Sequence, residues 1–245
     1  MKRTRIIMGM PVSVEIVGPE AKPELFKEVF DYFRQVDKRY STYKEDSEIS
    51  RINHGLPRKE WTAEMVNVMA LCEETKRQTG GFFNIEKDGE LDPSGLVKGW
   101  SIRGAANLLI KRGVKNFMIE AGGDIQTSGL DKNGQTWRVG IRDPFNRHQN
   151  VKVLKIDGQG VATSGAYIRG QHIYNPHDAD DQLQAIASLT VVGPDIYEAD
   201  RMATAAFAMG RSGINFIEKL SGFEGYSIDQ NGMATMTSGF EAFAL

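Results

Sequence analysis

Asp200 and Thr204 stand four residues apart in a stretch whose apolar spacing predicts a helix over about 198–209. At that spacing both side-chain oxygens project from one helix face, and such oxygens suit a hard cation such as Mg²⁺. The same residues fit a plain helix start, with Glu198 or Asp200 as cap and Thr204 packed inside, and a two-residue match taken alone favours that plainer role. Further upstream, Leu91-Asp92-Pro93-Ser94-Gly95-Leu96-Val97-Lys98-Gly99-Trp100 puts an acid and a base six residues apart around a glycine turn that opens a helix. The phosphates of a ligand could approach the Gly95 backbone and the Lys98 ammonium together there. A helix start capped by Asp92 explains the segment equally well. Ala121-Gly122-Gly123-Asp124 permits close backbone approach to a ligand, and tight hairpins use the same residues.

Other chemistries find less support. His54, His148, His172 and His177 lack the i, i+4 spacing of a helical zinc pair. His172 and His177 could meet across a turn, although exposed loop histidines are the simpler reading. Cys72 is the single cysteine, which excludes an intrachain disulfide and a multi-cysteine metal cluster. Its place in a helix points to core packing rather than to a nucleophile. The phosphate-loop, dinucleotide-fingerprint, serine-hydrolase and zinc-protease signatures are all absent, which disfavours a P-loop kinase or a Rossmann dehydrogenase.

The elements that must position these residues are legible in the hydrophobic periodicity. Val12 to Val17 alternates as a half-buried strand does, and Gly18-Pro19 ends it. Leu25, Phe26, Val29, Phe30, Phe33 and Val36 recur at helical spacing between Pro23 and Arg39. A polar connection over 41–48 follows, in which Ser47 with Ser50 suits the cap of a short helix. A second helix is predicted from Met65 to Gln78 with Val66, Met69, Ala70 and Cys72 inward, stopped by Gly80-Gly81. A third runs from Leu96 to Arg112, then a strand from Asn116 to Glu120, the glycine turn, and a second strand from Ile125. A β-rich run from Trp137 to Ala162 leads to Thr163-Ser164-Gly165, and a strand from Ser188 to Val192 precedes the helix bearing Asp200. Phe240 and Phe243 imply that the tail packs back on the body. Helices and strands alternate without a regular βαβ period, so the expected class is α+β, with antiparallel sheet flanked by helices.

A chain of 245 residues suits one domain over 1–245 or two closely packed lobes. Thirty Lys and Arg against 32 Asp and Glu give a formal net charge of -2 with no long basic run, which disfavours a nucleic-acid partner. No stretch approaches the length of a membrane span. The apolar run after the basic N-terminus is too short for a signal sequence and no cysteine follows it for lipidation, so the cytoplasm is the expected compartment.

Taken in order along the chain, several segments resemble the ApbE family of FAD:protein FMN transferases. They are Met8-Gly9-Met10; Ser41-Thr42-Tyr43 followed by Ser47-Glu48-Ile49-Ser50; Asp92-x-x-Gly95-x-x-Lys98-Gly99; Ala121-Gly122-Gly123-Asp124; Thr163-Ser164-Gly165; His172-Ile173-x-x-Pro176; and Ala199-Asp200-x-x-Ala203-Thr204-Ala205. No single piece is specific; their shared order carries the resemblance.

The resemblance implies an ApbE-like fold with a nucleotide cleft between two lobes, FAD in that cleft, and Mg²⁺ on its pyrophosphate. It implies transfer of FMN to a Ser or Thr hydroxyl of a target flavoprotein, with AMP released. Some members mainly hydrolyse FAD to FMN and AMP, and a non-catalytic flavin-binding protein is the alternative from another class. By position, Asp200, Thr204 and the Gly95 carbonyl would hold the metal. Met8, Tyr43, Asp92, Lys98 and Ile173 would contact the flavin or adenine, with Phe83, Asn84 and Ile85 in the segment that normally lines the nucleotide site. His172 falls where the family's suspected base lies. The chain departs from the family pattern twice. His177-Asp178-Ala179-Asp180-Asp181 replaces the usual Thr-Gly pair after Pro176, and Phe83-Asn84-Ile85-Glu86 replaces Phe-Asp-x-Thr.

Overall fold

The computed structural model describes residues 1–146, 148–165, 173–178 and 185–245. Strand β1 (Lys2–Ile7) turns through Met8-Gly9 into β2 (Met10–Val17), which buries Met10, Val12, Val14 and Ile16 on one face as its alternation requires. Helix α1 (Pro23–Tyr40) opens on proline, carries Glu24 in its first turn and Lys38 and Arg39 in its last, and so agrees with its own dipole. It buries Phe26, Val29, Phe30, Phe33, Val36 and Tyr40. Each such side chain contributes about 1.5–3 kcal/mol on leaving water.

Ser47 caps the short helix α2 (Glu48–Asn53), its hydroxyl accepting from the Ser50 N–H at 3.1 Å. In α3 (Ala63–Gln78) the inward residues are Met65, Val68, Cys72 and Thr75. This corrects the sequence expectation: Val66 and Ala70 face solvent and Met69 is half-buried. Residues 65, 68, 72 and 75 recur at intervals of three and four and form one stripe, whereas Val66 and Ala70 lie on a neighbouring one. The small hairpin of β3 (Glu86–Lys87) and β4 (Glu90–Leu91) then leads into α4 (Ser94–Lys111), which starts two residues before its expected position.

Strands β5 (Asn116–Ala121) and β6 (Asp124–Ser128) form a hairpin, as do β7 (Trp137–Arg142) and β8 (Asn150–Ile156). Next come β9 (Gly160–Gly165), β10 (Ile186–Gly193), α5 (Ile196–Ala208), α6 (Gly213–Glu218), β11 (Glu224–Asp229) and β12 (Ala234–Met236). Eight strands form one sheet in the order β1-β2-β5-β6-β9-β10-β11-β12, with every neighbouring pair antiparallel. The fold class is α+β, as the absence of a βαβ period predicts.

Three layers result. On one face, α1, α4 and α5 cover Val12, Val14, Ile119, Leu189 and Val191. The other face packs Ile125, Val161, Val192 and Ile228 against Val139, Ile141, Leu154 and Ile156 of the β7–β8 hairpin. Strand β10 is buried along its whole length because both layers press on it. Phe240 is fully buried and stacks on Tyr226 with ring centroids 5.2 Å apart, which anchors the tail. A third apolar cluster joins α1, α2, α3 and α4 beside the sheet.

Candidate flavin-nucleotide site

Two hairpin turns, the start of α4 and the inner face of α5 bring the polar residues together. In the turn between β5 and β6, Gly122 and Gly123 have φ of +60° and +98°, while Ala121 pairs with Asp124. Two successive left-handed residues make the primed turn that matches strand twist, and glycine adopts it without a Cβ penalty. The Gly122 backbone lies against Met10, whose sulfur would be 2.7 Å from a Cβ at that position. The turn between β1 and β2 has the same form, but one of its left-handed residues is Met8, with φ of +55°. A non-glycine residue held there is strained.

Close approach of α4 to α5 depends on glycine too. A Cβ on Gly99 would lie 2.6 Å from Asp200 Cβ and 2.7 Å from the Ile196 carbonyl oxygen, and one on Gly95 would lie 3.2 Å from Thr204 Cγ2. With no side chains in the way, the Gly99 N–H donates to Asp200 Oδ2 at 2.7 Å and the Thr204 hydroxyl donates to the Gly95 carbonyl at 3.4 Å. The plainer reading of Asp200 as a helix cap does not hold. Asp195 caps α5 by accepting from the Glu198 N–H at 3.0 Å, which leaves Asp200 in the second turn, 1% exposed and aimed at α4.

Lys98 completes the cluster. Its ammonium lies 2.7 Å from Asp124 Oδ2 and 3.3 Å from Asp200 Oδ1. Asp124, fully buried at the start of β6, also accepts from the Thr163 N–H at 3.1 Å through its other oxygen. Burial pushes the Asp200 carboxyl above its ordinary range. The Lys98 ammonium pulls it back, the Asp124 charge raises it again, and the Gly99 N–H opposes. With both carboxylates ionised, two carboxylates and one ammonium would leave a buried excess of negative charge, which a proton on Asp200 or a bound cation would relieve.

The donor set fits Mg²⁺. No cluster of three His, Cys, Asp or Glu suited to a metal occurs among the described residues. An ion here would therefore draw on one carboxylate, the Gly95 carbonyl and the Thr204 hydroxyl, all hard oxygens.

The cluster stands between two adjoining hollows. The first is lined by Phe83, Asn84, Ile85, Asp92, Gly95, Lys98, Thr163, Ile173 and Thr204 among others. The second is lined by Met8, Tyr40, Tyr43, Val97, Ser94 and Lys98. Ser94 and Lys98 belong to both, so a ligand with two ring systems joined by phosphates could fill the pair. Nearly all the predicted binding residues thus meet at one place. Tyr43 is 98% exposed at the rim, Asp92 accepts from the Ser94 N–H at 2.9 Å, and Asp200 lies beneath the cleft rather than on its wall. His172 is outside the described residues.

Sequence reasoning did not assign Asp124 or Tyr174 to the site. An acid closing a Gly-Gly hairpin was the available signal for Asp124, while nothing local marks Tyr174, which donates to the Glu86 carbonyl at 2.6 Å across 88 residues. His177, one of the departures from the family pattern, is exposed yet fixed. Its ring meets Phe82 edge-on at 4.6 Å, and its Nε2 lies 2.9 Å from the Gly80 carbonyl oxygen.

Known structures share this architecture. The flavin transferase ApbE from Vibrio cholerae superposes with a TM-score of 0.86 at 22% identity, covering 99% of this chain and 98% of its own. The Pseudomonas stutzeri flavinyl transferase ApbE gives 0.85 at 21%, covering 100% and 97%, so the fold is that of the flavin transferases. The ApbE family model matches residues 8–86 and 85–226. The chain belongs to the ApbE family. Among curated relatives, the FAD:protein FMN transferases of Klebsiella pneumoniae and Salmonella typhimurium are 23% and 24% identical, each match covering 92% of this chain and 83% of theirs. The Vibrio cholerae serotype O1 enzyme is 31% identical across 49% of this chain, which spans only 39% of that relative's length.

Proposed function

We propose that this chain, acting as one domain over 1–245, is a magnesium-dependent FAD:protein FMN transferase that esterifies a Ser or Thr hydroxyl of a target flavoprotein with FMN and releases AMP. The observation that carries the reading is the Lys98, Asp124 and Asp200 cluster at the junction of two hollows, beside the Gly95 carbonyl and the Thr204 hydroxyl.

A pyrophosphate repels nucleophiles through its negative charge, so a site that cleaves it must neutralise that charge and align the groups. Lys98 is oriented for this by two carboxylates, and the backbone at Ser94-Gly95 begins a helix whose N–H groups favour phosphate. Asp200, Thr204 and the Gly95 carbonyl would hold Mg²⁺, which when bound would neutralise the bridging phosphates and the departing AMP. His172 takes the acceptor's hydroxyl proton. The acceptor oxygen then bonds to the FMN phosphorus, and the bond from that phosphorus to the oxygen bridging it to AMP breaks.

Incubation with FAD, Mg²⁺ and a flavoprotein domain bearing an acceptor Thr, followed by mass spectrometry, tests the reading. Covalent FMN mass on the acceptor supports it; free FMN and AMP alone would mark a FAD pyrophosphatase, and FAD bound without turnover a flavin-binding protein. A His172→Ala variant should lose about 10²- to 10⁴-fold in rate with little change in FAD binding, and an unchanged rate removes His172 from the mechanism.

A further inference from the structure

A third hollow opens on the same junction from the opposite side of the sheet turns. It shares Gly122 and Thr163 with the first hollow and Gly9 and Met10 with the second, and its far wall is strand β7. If FAD occupies the first two, the third offers a further approach to the phosphorus. We infer that this groove is the docking site for the acceptor protein, and that it takes an extended, acidic segment carrying the hydroxyl to be modified. The inference rests on the transferase reading for its substrate, and on the groove itself for the segment's shape and charge.

The shape follows from β7. That strand pairs with β8 on one side, and no other strand joins the two-stranded sheet among the described residues. An edge strand presents free N–H and C=O groups to which an extended peptide can add. Its alternation buries Trp137, Val139 and Ile141 and turns Arg138, Gly140 and Arg142 outward. The outward row therefore holds two guanidinium groups separated by Gly140, over which the Asn150 side chain of β8 packs, so a peptide would add along the open edge of β7 rather than onto the face at Gly140.

The charge follows from the lining. Among its described residues only Glu120, Arg138 and Arg142 are ionic. Arg142 lies 3.5 Å from Glu120 yet stays 56% exposed, and Arg138 donates to the Gln135 side chain at 3.5 Å and is near enough to Asp131 to help the Gln135 N–H hold that carboxyl below its ordinary range. The excess is positive, on a molecule whose formal net charge is -2. Charges at an interface rim select partners and speed encounter, so a segment with Asp or Glu flanking its hydroxyl is the complementary one.

The test uses the whole protein saturated with FAD and Mg²⁺, and three fluorescent twelve-residue peptides with a central Thr flanked by aspartates, by alanines or by lysines. Anisotropy should show the aspartate peptide binding about tenfold tighter than the alanine peptide, with the gap closing in about 0.5 M salt. Arg138→Glu/Arg142→Glu should abolish or reverse that order while FAD affinity stays unchanged, and Glu120→Gln, which frees Arg142, should sharpen it. Equal affinity for the three peptides, or an order that survives the double reversal, overturns the groove. Mass spectrometry of the same mixtures separates this from the parent reading. FMN transferred without charge preference sinks the groove alone, whereas Arg-dependent binding of a peptide that never gains FMN sinks the transferase alone.

Discussion

At the scale of single residues the site is governed by charge placed out of reach of water. Asp124 and Asp200 are both almost wholly buried, and Lys98 is the ammonium between them. Removing one member of such a cluster leaves the others uncompensated, which costs about 3–5 kcal/mol for a buried pair. Lys98→Met should therefore both abolish FMN transfer and lower the melting temperature, whereas Asp200→Asn, which keeps the shape and removes a charge, should lose Mg²⁺-dependent turnover with a smaller stability change. Turnover of Asp200→Asn that proceeds equally well in EDTA would exclude Asp200 as a metal ligand. Cys72 offers a contrasting case. Burial pushes its thiol up to about 12, helped by the charges of Glu73 and Asp92, so it is neutral and enclosed at physiological pH. Iodoacetamide should label it only as fast as the fold opens, with urea accelerating the reaction; rapid labelling of the native protein would contradict this packing.

At the scale of elements the decisive contact is between α4 and α5, because it sets the spacing of Gly95, Lys98, Asp200 and Thr204. Gly99→Ala would drive a methyl into Asp200 Cβ and the Ile196 carbonyl. Overpacking of this kind costs about 1–3 kcal/mol, or a melting point lower by about 2–12 °C for a chain of this size. Since the helices would have to separate, turnover should fall further than stability, and a normal rate in a calorimetrically destabilised Gly99→Ala protein would show that the spacing is not critical. The sequence made these elements readable where their own pattern decided them. The stripes of α1 and β2, the Gly-Gly hairpin and the Ser47 cap all follow from local spacing. It misplaced the inner face of α3, where Val66 and Ala70 are as apolar as the residues that are buried, and only tertiary contact chooses the stripe. Asp200 and Thr204 stood out by their helical spacing, which taken alone favoured a plain helix start, and the family resemblance added the Gly95 carbonyl to the expected metal-holding set. Asp124, by contrast, joins Lys98 across 26 residues and Thr163 across 39, and no local pattern announces such a contact.

At the scale of the whole molecule, the two hollows are walled by parts of the helical layer and of the main sheet: the α1 end and following loop, the α4 and α5 helices, the turns of the sheet and the segment at Ile173 and Tyr174. A ligand filling them binds only when those layers are assembled, so it stabilises the fold as a unit. For FAD at a hundredfold excess over its dissociation constant, that linkage is worth about 2.7 kcal/mol, which raises the melting temperature by about 5–10 °C. Since the Gly95 carbonyl, the Thr204 hydroxyl and Asp200 would join the dinucleotide through Mg²⁺, chelation should remove much of the increase, and Asp200→Asn should show the smaller shift with or without EDTA. Scanning calorimetry of the wild type and that variant, each with FAD and Mg²⁺ and with FAD and EDTA, reads all four values. If FAD gives the full shift in EDTA, the cleft binds its ligand without the ion and the buried excess charge serves only Lys98; if FAD gives none with Mg²⁺ present, the hollows do not form a flavin-nucleotide site.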